Sequence, residues 1–175
     1  MFEGKRKSFA DDGAILSRDA ALHTVKFHDP DPRVAEFMAN LDRINGLGKR
    51  MPGFVWMMEG SGEPGTGNTE NSIDNDPQFV ANLTVWDDAA SLEKFVWGTV
   101  NKQFYDRRQE WFEVLGDMHF VMWWVPEGHQ PGLGEALDRL EYRKSHGDSD
   151  HAFGWSHLKE LEMWPTHRCK TVAAE

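Results

Sequence analysis

The stretch from Phe79 to Pro126 constrains the fold more than any other, because its hydrophobic period changes twice. Phe79, Ala81, Leu83 and Val85 alternate with Val80, Asn82, Thr84 and Trp86, the two-residue period of a strand. From Ala89 to about Leu115 the apolar residues recur at helical spacing instead, with Asp87 or Asp88 as a cap and Gly116 as a stop. Met118 to Val125 then forms a second strand, too apolar on both faces for a water-exposed edge. A strand, one long helix and a strand are predicted.

On that helix, at about 100° per residue, Trp97, Val100, Phe104, Trp111, Phe112 and Leu115 share one face, and Asn101 and Arg108 fall within the same arc. Both are therefore expected to point toward the sheet, whereas Arg107 projects nearer solvent. An inward guanidinium needs a counter-charge, carbonyls, water or a ligand anion, since leaving it unpaired costs several kcal/mol. Two readings follow. In one, Arg108 pairs with an internal acid such as Glu59 and Asn101 bonds a nearby carbonyl. In the other, a pocket lies between helix and sheet, walled by Trp97, Trp111, Trp123 and Trp56, with Asn101, Tyr105, Arg108, Asn82 and His119 as its polar groups.

The remaining chain completes a known order of elements. Residues 1–19 lack a period and read as a flexible N-terminal arm. Ala21 to Phe27 alternates as a first strand, and Asp31 caps a helix that starts at Pro32 and ends at Gly46 and Gly48. Phe54 to Met58 reads as a buried strand. Glu59 to Asp76, with Gly62, Gly65 and Gly67, is a long loop. After Pro126 come a helix over Gly134 to Lys144 and a short strand at Ala152 to Trp155. The prediction is an α+β, ferredoxin-like split βαββαβ domain over residues 20–155, with an antiparallel sheet, an extra C-terminal helix and a tail over 156–175.

Composition narrows the partners. A chain of 175 residues that is 39% hydrophobic can build one core. Its formal charge of -10 repels phosphate backbones and anionic lipid, so neither nucleic acid nor membrane is expected as a partner. The single cysteine, Cys169, suits a reducing compartment. No signal-peptide core and no run near the roughly 18 apolar residues of a membrane span are present, so a cytoplasmic protein is expected.

Other chemistry-bearing clusters are weaker. His146, Asp148, Asp150, His151 and His157 lack the spacing of a metal motif, as do His23, His28, Asp29 and Asp31, and no metal is expected. The glycine loop is not placed between a strand and a helix, and it carries acids, which argues against nucleotide binding. Ser156 and His157 lie outside any nucleophile-elbow motif.

Several blocks together resemble the family catalogued as domain of unknown function 3291, within the dimeric α/β-barrel superfamily that includes antibiotic biosynthesis monooxygenase-like proteins. They are Leu41 to Asn45, Pro52 to Trp56, Val85-Trp86, Leu92 to Phe95, Arg108 to Phe112, Trp123 to Pro126 with Gly128-His129, and Ala152-Phe153. The resemblance implies a helix-to-sheet pocket and a homodimer whose two sheets close one barrel, with one apolar sheet face for the helices and the other for the partner. The family pattern carries a histidine four positions after an aromatic residue on the long helix, whereas here Trp97 is followed by Asn101. Asparagine neither exchanges protons near neutral pH nor ligates haem as imidazole does.

The resemblance implies a small-molecule enzyme, a cofactor-independent monooxygenase-like oxidoreductase acting on a flat phenolic or quinonoid substrate. Trp97, Trp123 and Trp111 would hold the ring with Tyr105, Asn82 and Trp56, Asn101 and Arg108 would stabilise an oxyanion, and His119 would be the base. One alternative is a haem protein with His119 or His23 as axial ligand. Another is a non-catalytic ligand-binding or assembly module.

Overall fold

The computed structural model describes residues 17–27, 32–60, 72–99, 101–107, 111–112 and 119–158. The arm through residue 16, the glycine-rich stretch 61–71, Arg108 and the tail from 159 lie outside them. In chain order the elements are β1 (Ser17–Lys26), α1 (Pro32–Lys49), β2 (Phe54–Met57), β3 (Ser72–Ile73), β4 (Asp76–Trp86), α2 (Ala89–Gly98), α3 (Asn101–Asp106), β5 (Phe120–Pro126) and α4 (Leu133–His146), then a 3-10 turn at Trp155–His157.

The strands pair antiparallel in the order β2-β4-β1-β5, with β3 joining β4. The class is α+β, and this order is consistent with the ferredoxin-like split arrangement. β1 lies centrally, so His23 faces Asn82 of β4 on one side and Phe120 of β5 on the other. The short β3 was not legible in the sequence. Asp74 and Asn75, both at positive φ (55° and 58°), form a two-residue hairpin turn of the type whose twist matches paired strands.

Alternation gives the sheet two covered faces. Ala20, Leu22, Ala81, Leu83, Val85, Val121, Trp123 and Val125 pack with Ala136 and Leu140 of α4. Ala21, Trp86 and Met122 point the other way, to Ala89 and Leu92 of α2 and to Phe153 and Leu158. The extra C-terminal helix therefore lies on the face that the dimeric barrel would give to a partner sheet. Both sheet faces are apolar because one chain covers both.

The expected short C-terminal strand is a pair of isolated bridges, Met122 with Phe153 and Ser149 with Ala152, which seal the outer side of β5. Gly53 turns the chain from α1 into β2 at φ 84°, and a Cβ there would stand 2.2 Å from the Ser91 hydroxyl oxygen. Only glycine allows α2 to approach that closely.

The single long helix over 89–115 is not observed. Asp88 caps α2 by accepting from the Ser91 N–H, but the helix stops at Gly98 and Thr99 is extended (φ -124°, ψ -176°). Gly98, Thr99 and Val100 combine low helix propensity with two β-branched side chains, and the Thr99 hydroxyl donates to the Phe95 carbonyl at 2.6 Å. α3 then restarts with a new phase, and Phe112 is extended against Phe27 as a β-bridge. The helical wheel that aimed Asn101 and Arg108 at the sheet assumed one unbroken axis.

Candidate functional site

The expected pocket residues do not assemble as one set. Trp97 is buried at the end of α2, and Trp111 is fully buried beyond α3 with the Arg107 guanidinium 4.9 Å from its ring centroid. Asn82 projects to the α2 face, because its strand neighbours Ala81 and Leu83 project to the α4 face. Trp123 and Trp56 do not join them, since both pack on the α4 side of the sheet. Asn101 and Tyr105 lie on α3, and Arg108 is outside the described residues.

His119 precedes β5 and is exposed, with its ring centroid 5.3 Å from that of His23. It does not stand with Trp123. Glu59, the acid considered for Arg108, is exposed and ion-paired with Lys49 beside an open groove of about 530 Å³ along β2. The buried carboxylates among the described residues are Asp19 and Glu93 instead. Glu93, one turn before Trp97 on the buried side of α2, went unnoticed in the sequence, although its spacing from Leu92, Val96 and Trp97 is the available signal.

What the α2 face does bring together is a row across three strands. Asn82 of β4 and His23 of β1 are register partners, and His23 meets Phe120 of β5 edge-on at 6.3 Å. Phe120 in turn stacks on Trp155 at 5.3 Å. Trp97 is buried on α2, the helix that covers this face.

The Asn82 side-chain oxygen is sealed from solvent and has no hydrogen-bond partner among the described residues. A buried acceptor left so costs about 1–3 kcal/mol. The nearby Trp86 indole, by contrast, donates to the Thr84 hydroxyl at 3.0 Å. An amide oxygen that lacks a donor can receive one from a hydroxyl or N–H brought by a ligand.

On the α4 face the polar groups satisfy one another. The fully buried Trp123 donates its indole N–H to Glu135 at 3.0 Å, and the other Glu135 oxygen lies 2.8 Å from His129. Arg143 donates to Asp148 at 2.6 Å and to the Phe120 carbonyl, while Asp148 also accepts from the Ser156 hydroxyl and the Gly154 N–H. Burial pushes the Asp148 carboxyl up, but the Arg143 hydrogen bond and charge, helped by Ser156 and Gly154, hold it below the ordinary value. Burial and the Arg139 charge lower His151. A Cβ on Gly154 would stand 2.2 Å from the Arg143 guanidinium, so a side chain there would displace the guanidinium from its present partners. The His146 to His157 segment is thus a staple, and no metal-holding group of three or more His, Cys, Asp or Glu occurs among the described residues.

No described helix is long and apolar enough to cross a membrane. No curated protein matches the chain. Among solved structures, PA3566 from Pseudomonas aeruginosa is similar with a TM-score of 0.43 and 13% identity, over 67% of this chain and 100% of that one. NE2512, a protein of unknown function from Nitrosomonas europaea, has a TM-score of 0.42 and 9% identity, over 67% of this chain and 95% of that one. The family described as Domain of unknown function (DUF3291) matches residues 20–169, which takes in the sheet apart from the first three residues of β1, its helices and the staple, and the chain belongs to that family.

Proposed function

We propose that the chain binds a flat phenolic small molecule on the α2 face of its sheet and oxidises it in a monooxygenase-like reaction. The observation that carries this reading is the buried Asn82 oxygen with no partner among the described residues. A ligand hydroxyl would satisfy it, and the Phe120 ring beside His23 offers aromatic surface on the same face. The reaction balances without a cofactor. A phenol and O2 give a quinone and water, with one oxygen atom entering the ring and the substrate supplying all the electrons. Asn101 and Arg108 keep in this proposal the oxyanion-stabilising role expected of them from the sequence.

A homodimer belongs to the same proposal. Because α4 covers much of the barrel-side face, a partner would meet the half-buried Val55, Trp56 and Met58 at the β2 edge. Haem is the rival ligand, favoured by the imidazoles of His23 and His119. Their rings pack too closely for a porphyrin between them, so one imidazole alone would hold it.

The test is Asn82→Leu. It is expected to weaken phenol binding, read by tryptophan fluorescence, by about tenfold, the equivalent of one hydrogen bond of about 1.4 kcal/mol, while the fold persists. Unchanged binding would overturn the proposal. A Soret band on adding haem, lost in His23→Ala, would favour the rival.

A further inference from the structure

We infer that the ligand is a vicinal diphenol, and that His23 takes the proton of one hydroxyl while Asn82 accepts a hydrogen bond from the other. This rests on the phenol-binding reading above and names its substrate class. Asn82 and His23 are cross-strand partners on one sheet face, where side chains of opposed residues start about 4.5–5.5 Å apart. Two adjacent ring hydroxyls fit that spacing. One stays protonated and donates to the Asn82 oxygen, which lacks a donor among the described residues. The second loses its proton, so that its O–H bond breaks and an N–H bond forms on the His23 imidazole. The pair of electrons stays on oxygen, giving a monoanion ready for oxidation.

The position of His119 completes the device. Its ring lies 5.3 Å from that of His23, and it is exposed where His23 is half-buried, so the proton has a short route to solvent through one water. His23 lies opposite Asn82 on β4 and Phe120 on β5 with the His119 ring beside it, while Asp19 and Thr84 share its sheet face farther along the strands and Glu93 is buried on α2, which covers that face. Of these, His119 is the titratable group in contact with its ring and open to water. This assigns His119 to proton exchange with solvent rather than to contact with substrate.

The test uses the full chain with 4-nitrocatechol, whose colour reports its ionisation, and 4-nitrophenol as the one-hydroxyl control. The wild type is expected to bind 4-nitrocatechol at least about tenfold more tightly than 4-nitrophenol, and as the monoanion below the pH at which the free probe ionises. His23→Gln should still bind 4-nitrocatechol but hold about tenfold less monoanion at fixed pH, a shift of about one pKa unit. His23→Asn serves as a second variant, with near-ultraviolet circular dichroism confirming the fold of each. His119→Gln should leave the monoanion fraction unchanged and slow its relaxation after a pH jump by about tenfold or more.

An unaltered monoanion fraction in both His23 variants would overturn the role of His23. Equal affinity for the two probes would overturn the vicinal arrangement. Binding of neither probe to the wild type would overturn the underlying phenol-binding reading instead, which keeps the two failures distinct.

Discussion

The two faces of the sheet are built from the same strands, yet they solve opposite problems. Toward α4, Leu22, Leu83, Val85, Val121 and Trp123 are all fully buried, and the one indole N–H among them is paired with Glu135. Toward α2, the same strands present Asp19, His23, Asn82 and Thr84 among the apolar residues, and the buried Asn82 side-chain oxygen has no hydrogen-bond partner among the described residues. A period of two lets successive residues serve separate purposes, so stability and recognition can change independently. Val85 and Trp86, adjacent in sequence, belong to different cores.

This contrast predicts large stability effects on the α4 face and small or reversed ones on the α2 face. Trp123→Ala should cost about 3–5 kcal/mol in denaturant unfolding, since it opens a cavity and leaves Glu135 without its donor. A cost below about 1 kcal/mol would break the comparison. Asp148→Ala should cost about 2 kcal/mol by releasing Arg143 and the Gly154 loop.

Because the folded Asp148 carboxyl lies below its ordinary value, its contribution is complete above the unfolded pKa of about 3.9. It is lost as pH falls through the lower folded value. The stability difference between wild type and Asp148→Asn should therefore shrink only in strong acid, and a difference that vanishes by pH 5 would refute the staple.

Asn82→Leu should act in the opposite sense, raising stability by up to about 1 kcal/mol while weakening phenol binding about tenfold. A loss of several kcal/mol would place Asn82 in a structural network and merge the two faces. The smallest effect is expected on α3, where the exposed Lys102–Asp106 pair spans one turn and Lys102→Ala should cost about 0.3 kcal/mol.

β1, β2, β4, β5 and α4 were legible because their periods are clean and turn residues mark their ends. The break at Thr99 was written in Gly98-Thr99-Val100, but the apolar recurrence of Trp97, Phe104 and Trp111 suggested continuity across it. Alternation along β5 puts Val121 and Trp123 on one face but does not extend to His119 before the strand, and nothing local says which helix covers which face. That is decided by the packing of α4, more than ten residues along the chain. The juxtaposition of His23 and Asn82 depends on the register of two strands about sixty positions apart, a long-range property that no sequence window contains.

The tether between β5 and α4 has a thermodynamic consequence. In an assembly that closes its core with a second subunit, dilution opens the core by mass action. Here only residues 127–132 separate the sheet from the helix that covers it. Such a link holds the helix at an effective concentration in the millimolar range. The α4-covered core should therefore close at any protein concentration, whether or not the β2 edge has a partner.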